Sequence, residues 1–82
     1  MARRDKLKAK LLSGQHDKNF NLDELCTLLE QLGFSERKGK GSHRIFRREG
    51  IEEIINLQPA RDGKAKPYQV QIVRGIVQAY NL

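Results

Sequence analysis

The stretch Gly39-Lys40-Gly41-Ser42-His43-Arg44-Ile45-Phe46 decides how the chain is read. Its first half is basic and rich in glycine and serine, the residues that build turns. Its second half gains apolar bulk at Ile45 and Phe46 and runs on into Arg47 and Arg48, so residues 43–48 read as a strand. Upstream, residues 34–38 read as a first strand, with a turn over residues 38–42. Downstream, Glu49-Gly50 reads as a hairpin turn, and residues 51–58, carrying Ile51, Ile54, Ile55 and Leu57, as a third strand. Ile45 and Phe46 are adjacent, as are Ile54 and Ile55. Each strand therefore offers apolar groups to both faces, one for a helical layer and one for further burial or a partner.

Helical patterns bracket these strands. Over residues 21–32, Leu22, Leu25, Leu28, Leu29 and Leu32 recur on one face. Asn21 suits the N-cap, with Glu24 three residues on as in a capping box, and Gly33 suits the left-handed position after the helix. Residues 59–66 read as a loop. Pro67 then fits a first helical turn, and Val70, Val73, Ile76, Val77 and Tyr80 continue as an apolar stripe. Residues 3–12 read as a short helix with Leu7, Leu11 and Leu12 on one side, stopped by Ser13-Gly14, and residues 15–19 as a polar linker. The order helix, three strands, helix predicts an α+β domain over residues 20–82, with an antiparallel sheet covered on one face. Residues 1–19 form an extra basic arm.

Composition narrows the function. A chain of 82 residues points to one domain with a small core. Lysine and arginine number 16 against 10 acidic residues, a formal charge of +6. That excess favours a polyanionic partner, nucleic acid before others, because phosphate neutralisation releases counterions. Cys26 is the only cysteine, which rules out an intramolecular disulfide and a cysteine-rich metal site. Its place in a helical pattern predicts a buried or half-buried thiol in a reducing cytosol. No apolar run reaches signal-peptide or membrane-spanning length, so a soluble, cytoplasmic protein with no membrane partner is expected.

The chemistry converges on the glycine-flanked histidine. Cleaving RNA requires no metal, since the 2′-hydroxyl is a built-in nucleophile. It requires a proton-transfer group that works near neutral pH and cations to stabilise the charge growing on phosphorus. Imidazole is the side chain suited to that pH range. Gly41 and Ser42 allow a phosphate to approach the backbone amides before His43. Lys38, Lys40 and Arg44 add positive charge within a few residues. Lys64 and Lys66 precede a helix N-terminus, where free amides favour anions. On an ideal strand His43 shares a face with Ile45 and Arg47, opposite Arg44 and Arg48. No histidine pair has metal-ligand spacing, and Glu49, Glu52 and Glu53 cluster near a turn, so neither metal nor cofactor is expected. Ser42 as nucleophile is disfavoured because adjacent strand residues point apart. His16 lies in the linker without a framework to hold it. Residue types alone leave His43 open between a catalytic group and an ordinary half-exposed histidine.

Gly41-Ser42-His43 followed by an apolar pair, after a leucine-rich helix and Gly33-Phe34, resembles the HicA family of toxins from bacterial toxin–antitoxin pairs. The run Lys64-Ala65-Lys66-Pro67-Tyr68-Gln69-Val70 is similar to that family's boundary before its last helix. The resemblance implies a fold like the double-stranded-RNA-binding domain and a metal-independent endoribonuclease acting on messenger RNA. It also implies a HicB-type antitoxin that covers the active site, and a toxin that is a monomer held in a larger complex. His43 corresponds to the family's catalytic histidine, while Gly41 and Ser42 shape the loop. Many members carry a second histidine where this chain has Arg44. The competing reading is a non-catalytic RNA-binding module of the same fold, with His43 only a contact. A third is an interaction protein whose basic face docks an acidic protein.

Overall fold

The computed structural model describes residues 2–82, with side chains from residue 6 onward. Arg3 and Arg4, read as part of the basic arm, lie outside the described side chains. The elements are α1 (Ala2–Ser13), a short 3-10 helix (Asp17–Asn19), α2 (Leu22–Gln31), β1 (Ser35–Lys38), β2 (Arg44–Arg47), β3 (Ile55–Leu57) and α3 (Pro67–Ala79). The sheet is antiparallel in the order β1-β2-β3. This is the α+β, helix–sheet–helix architecture that the apolar periodicities predict, with three helices and a three-stranded sheet.

Local chemistry accounts for each helix. In α2 the Glu24 carboxylate accepts the Asn21 N–H at 3.3 Å, one half of a capping box. Its leucine stripe buries Leu22, Leu25, Leu28 and Leu29, together with Cys26. Burial in this apolar layer pushes the Cys26 thiol up to about 11. In α3, Pro67 occupies the first turn and Val70, Val73, Ile76 and Val77 are buried. The N-terminal arm joins the same core. Leu11 is 0% exposed, and Lys10 Nζ reaches Glu24 Oε1 at 2.8 Å while lying over the Phe20 ring. Arg74 on α3 clamps the arm from the other side. Its guanidinium donates to both oxygens of Asp17, at 2.8 and 3.1 Å, and to the Leu11 carbonyl at 3.2 Å. That ion pair holds the Asp17 carboxyl below the usual aspartate range.

Register assigns the two faces of the sheet. Phe46, Ile55 and Leu57 are buried against the helices. Pairing sets Glu36 opposite Phe46, Lys38 opposite Arg44, and Arg44 opposite Leu57. Glu36, Lys38 and Arg44 therefore share the helical face, while Ser35, Arg37, Ile45, Arg47 and Asn56 lie on the open face.

The third strand is shorter than its apolar content suggests. Pairing with β2 begins only at Ile55, opposite Phe46. A turn closed by the Ile51 N–H donating to the Arg48 carbonyl, at 3.1 Å, swings the chain out after β2, where the sequence suggests a tight hairpin at Glu49-Gly50. Residues 51–54 form no ladder. Ile51 packs against the core as an anchor, whereas Ile54 stays 56% exposed. Exposed Glu52 and Glu53 between them have no apolar face to offer a sheet.

Candidate active site

His43 sits where the β1–β2 connection enters β2. The turn is closed by two backbone bonds, His43 N–H to the Lys40 carbonyl at 3.2 Å and Gly39 N–H to the His43 carbonyl at 3.0 Å. Gly41, at φ 62, supplies the left-handed residue that the turn requires. Gly39 is needed for a different reason. A Cβ built there would lie 3.1 Å from both the His43 Cβ and the Ile45 Cδ1, so the absent side chain makes room for the histidine. The amides of Lys40, Gly41 and Ser42 donate to no acceptor among the described residues. Three successive free N–H groups leave the loop able to hold an anion.

The imidazole is held from the neighbouring strand. His43 Nδ1 lies 3.2 Å from Asn56 Oδ1. An amide oxygen only accepts, so in this orientation Nδ1 carries the proton and Nε2 is left to take or give one. Nε2 has no protein partner among the described residues. The sequence alone does not point to Asn56. It stands alone as a polar group in Ile54-Ile55-Asn56-Leu57, and its relation to His43 depends on the β2–β3 register. The sequence carries one trace of it, a polar residue interrupting the most apolar stretch of the sheet.

The other candidates separate into two groups. A groove of about 500 Å3 is lined by Glu36, Lys38, Gly41, Ser42, His43 and Arg44. Arg44 is already engaged within it. Its Nε and Nη2 donate to the two Glu36 oxygens at 2.5 and 2.8 Å, and Nη1 reaches Asp23 at 3.5 Å. The bidentate pair holds the Glu36 carboxyl below its ordinary range and raises the guanidinium further above its own. Arg44 can meet a phosphate only by giving up part of that pair. Lys38 and Lys40 are exposed and unpaired among the described residues.

Lys64 and Lys66 lie outside this groove. The Lys64 ammonium donates to Asn19 Oδ1 at 3.2 Å, and Lys66 caps α3. The start of α3 nevertheless meets the end of β3. With its amide turned so that both atoms are satisfied, buried Gln69 donates to the Gln58 carbonyl and accepts the Gln58 N–H, each at 3.2 Å. Gln58 follows β3 at the position that continues the register opposite His43. His16 is exposed. Among the described residues, no three His, Cys, Asp or Glu side chains converge as a metal site would require, and no helix is long and apolar enough to cross a membrane.

Residues 22–79 match the family model described as the HicA toxin of bacterial toxin–antitoxin systems. The chain belongs to the HicA toxin family. No curated protein and no solved structure gives a significant match. Membership makes this HicA-family chain a toxin of a toxin–antitoxin system, supports a nuclease role at a coarse level, and implies a cognate antitoxin. The match begins at Leu22, so α1 and the 3-10 helix lie outside it.

Proposed function

We propose that the chain is a metal-independent endoribonuclease that cleaves messenger RNA in the cytoplasm, with His43 as its proton-transfer group. The observation that carries this reading is the His43–Asn56 contact. It holds one ring nitrogen and leaves Nε2 without a protein partner among the described residues, on a histidine that directly follows three unsatisfied loop amides in the chain. In the proposed reaction the RNA 2′-hydroxyl attacks the adjacent phosphorus and the 5′-oxygen leaves. Nε2 takes the proton from the nucleophile or supplies one to the leaving group. The amides of Lys40, Gly41 and Ser42, with the ammonium groups of Lys38 and Lys40, stabilise the charge that builds on the phosphoryl oxygens. Arg44 acts as a positioning residue, tying β1 to β2 through Glu36. Lys66, at the start of α3, contributes long-range attraction, and Lys64 braces its own loop against Asn19. The cognate antitoxin, of HicB type, acts by covering this site.

Purified protein incubated with RNA in EDTA tests the reading. We expect cleavage in chelator and a loss of about 10²–10⁴-fold in His43→Ala, the usual range for a proton-transfer group. Full activity in that variant, or loss of activity with chelator, overturns the mechanism. A salt-sensitive shift with intact RNA would instead identify an RNA-binding module.

A further inference from the structure

We propose that the open face of the sheet carries single-stranded RNA away from His43, with Arg37 and Arg47 holding its phosphates. The inference rests on the nuclease reading for its position relative to the scissile bond, and on charge and register for the surface itself.

Two pairs of arginines differ in what they meet. On the helical side, Arg44 and Arg74 each meet a carboxylate through two hydrogen bonds. Arg37 and Arg47, on the open face, are exposed and form no ion pair or side-chain hydrogen bond among the described residues. Strand residues on that face are Ser35, Arg37, Ile45, Arg47 and Asn56, which include two cations and no carboxylate. Both arginines line a depression of about 430 Å3 at the far end of the β1–β2 ribbon, together with Ser35, Arg48 and two carboxylates, Glu36, which is already paired with Arg44, and Glu49. Ile45 lies opposite Arg37 and half-buried, an apolar floor beside the cations.

Geometry points to one strand of RNA. His43 and Arg47 are on the same face of one chain segment, four residues apart, a run of about 13 Å at strand rise. The unpaired cations follow that line, so an extended backbone passing Nε2 continues along β1 and β2. A single strand leaves its bases unstacked and able to lie on Ile45 or against a guanidinium plane. A duplex would present two phosphate rows and needs cations on separated elements.

The test uses full-length His43→Ala protein, so that bound RNA stays intact, and a labelled single-stranded oligonucleotide of about twelve nucleotides. Affinity is measured by fluorescence anisotropy across a salt series. Each phosphate contact to a single strand contributes about 0.7 to the slope of log K against log salt. Arg37→Gln with Arg47→Gln should lower that slope by about 1.4 and weaken low-salt binding about tenfold. Arg37→Lys with Arg47→Lys should retain the slope, which separates charge loss from misfolding. Lys18→Gln with Arg61→Gln removes the same charge from exposed positions elsewhere and should leave the slope unchanged. An unchanged slope in the Arg37/Arg47 pair, or an equal drop in the Lys18/Arg61 pair, overturns the proposal. If the otherwise unaltered protein cuts RNA while the Arg37/Arg47 pair binds normally, the track falls and the nuclease reading stands. If it cuts no RNA but the slope drops as expected, the reverse holds.

Discussion

Replacing Asn56 should change how fast RNA is cut and how that rate depends on pH. The bond from His43 Nδ1 to Asn56 Oδ1 spans 3.2 Å at an exposed site. A neutral bond of this kind contributes about 1 kcal/mol net. Asn56→Ala removes it, and the ring gains a second tautomer and other rotamers. At 1.36 kcal/mol per tenfold in rate, the loss corresponds to about a fivefold drop in kcat/KM. The side chain is exposed, so the thermal midpoint should barely move. Asn56→Asp is the sharper change. A carboxylate in the same place favours the imidazolium, and an exposed pair of this kind stabilises it by up to about 1 kcal/mol. The pH–rate profile should therefore move towards higher pH. If neutral His43 is the active form, activity near pH 6 falls; if the imidazolium is, activity near pH 8 rises. Initial rates on a fluorogenic RNA oligomer from pH 5 to 9 decide the matter. A profile that stays in place in Asn56→Asp, together with a rate within twofold in Asn56→Ala, would refute the role given to this contact.

Three further outcomes follow from the packing and the ion pairs. Gly39→Ala places a Cβ 3.1 Å from the His43 Cβ, so the histidine must shift by tenths of an ångström; kcat should fall several-fold, by about tenfold at most, and unchanged kcat would show that the close approach does not position the ring. Leu11→Ala empties a fully buried site and should cost about 3 kcal/mol in urea unfolding, whereas a change under about 1 kcal/mol would make α1 peripheral. The Glu36 and Asp17 carboxyls sit below their ordinary values of 4.5 and 3.8 in the folded chain. The unfolded chain therefore takes up protons first as pH falls. The stability these pairs give is complete above about pH 5 and drains away below it. The urea midpoint of Arg44→Ala should depend less on pH between 5 and 3 than that of the unaltered protein, and equal slopes would count against the Glu36 pair.

Much of the fold is legible because helical burial is periodic. The leucines of α2 and the valines of α3 repeat at the helical period, and the structure buries those stripes. Strand limits carry no such periodic signal. Ile51, Ile54, Ile55 and Leu57 look alike in composition, yet Ile51 is an anchor, Ile54 is exposed and only Ile55–Leu57 pairs. Apolar content does not say where a ladder begins; the turn after Arg47 does. The site divides along the same line. His43 and its glycines stand together in sequence and could be found there. Asn56 is thirteen residues from His43 and becomes its neighbour only through register. Arg44 reads as a phosphate ligand because its charge is visible while its partner, Glu36 on the adjacent strand, is not. The sequence likewise leaves the two faces of the sheet open, and burial of Phe46 and Ile55 against the helices assigns them.

Cys26 gives this molecule a chemical clock. The thiol is buried beneath α2, and burial pushes it up to about 11, so at neutral pH it is both shielded and protonated. A thiol reagent reacts only during moments when α2 lifts from the sheet, and the labelling rate then measures how often that happens. Because Cys26 is the sole cysteine of the chain, any label reports on that one event. Labelling with and without a bound antitoxin would show whether neutralisation freezes the layer that carries β2, or only covers the histidine at its edge.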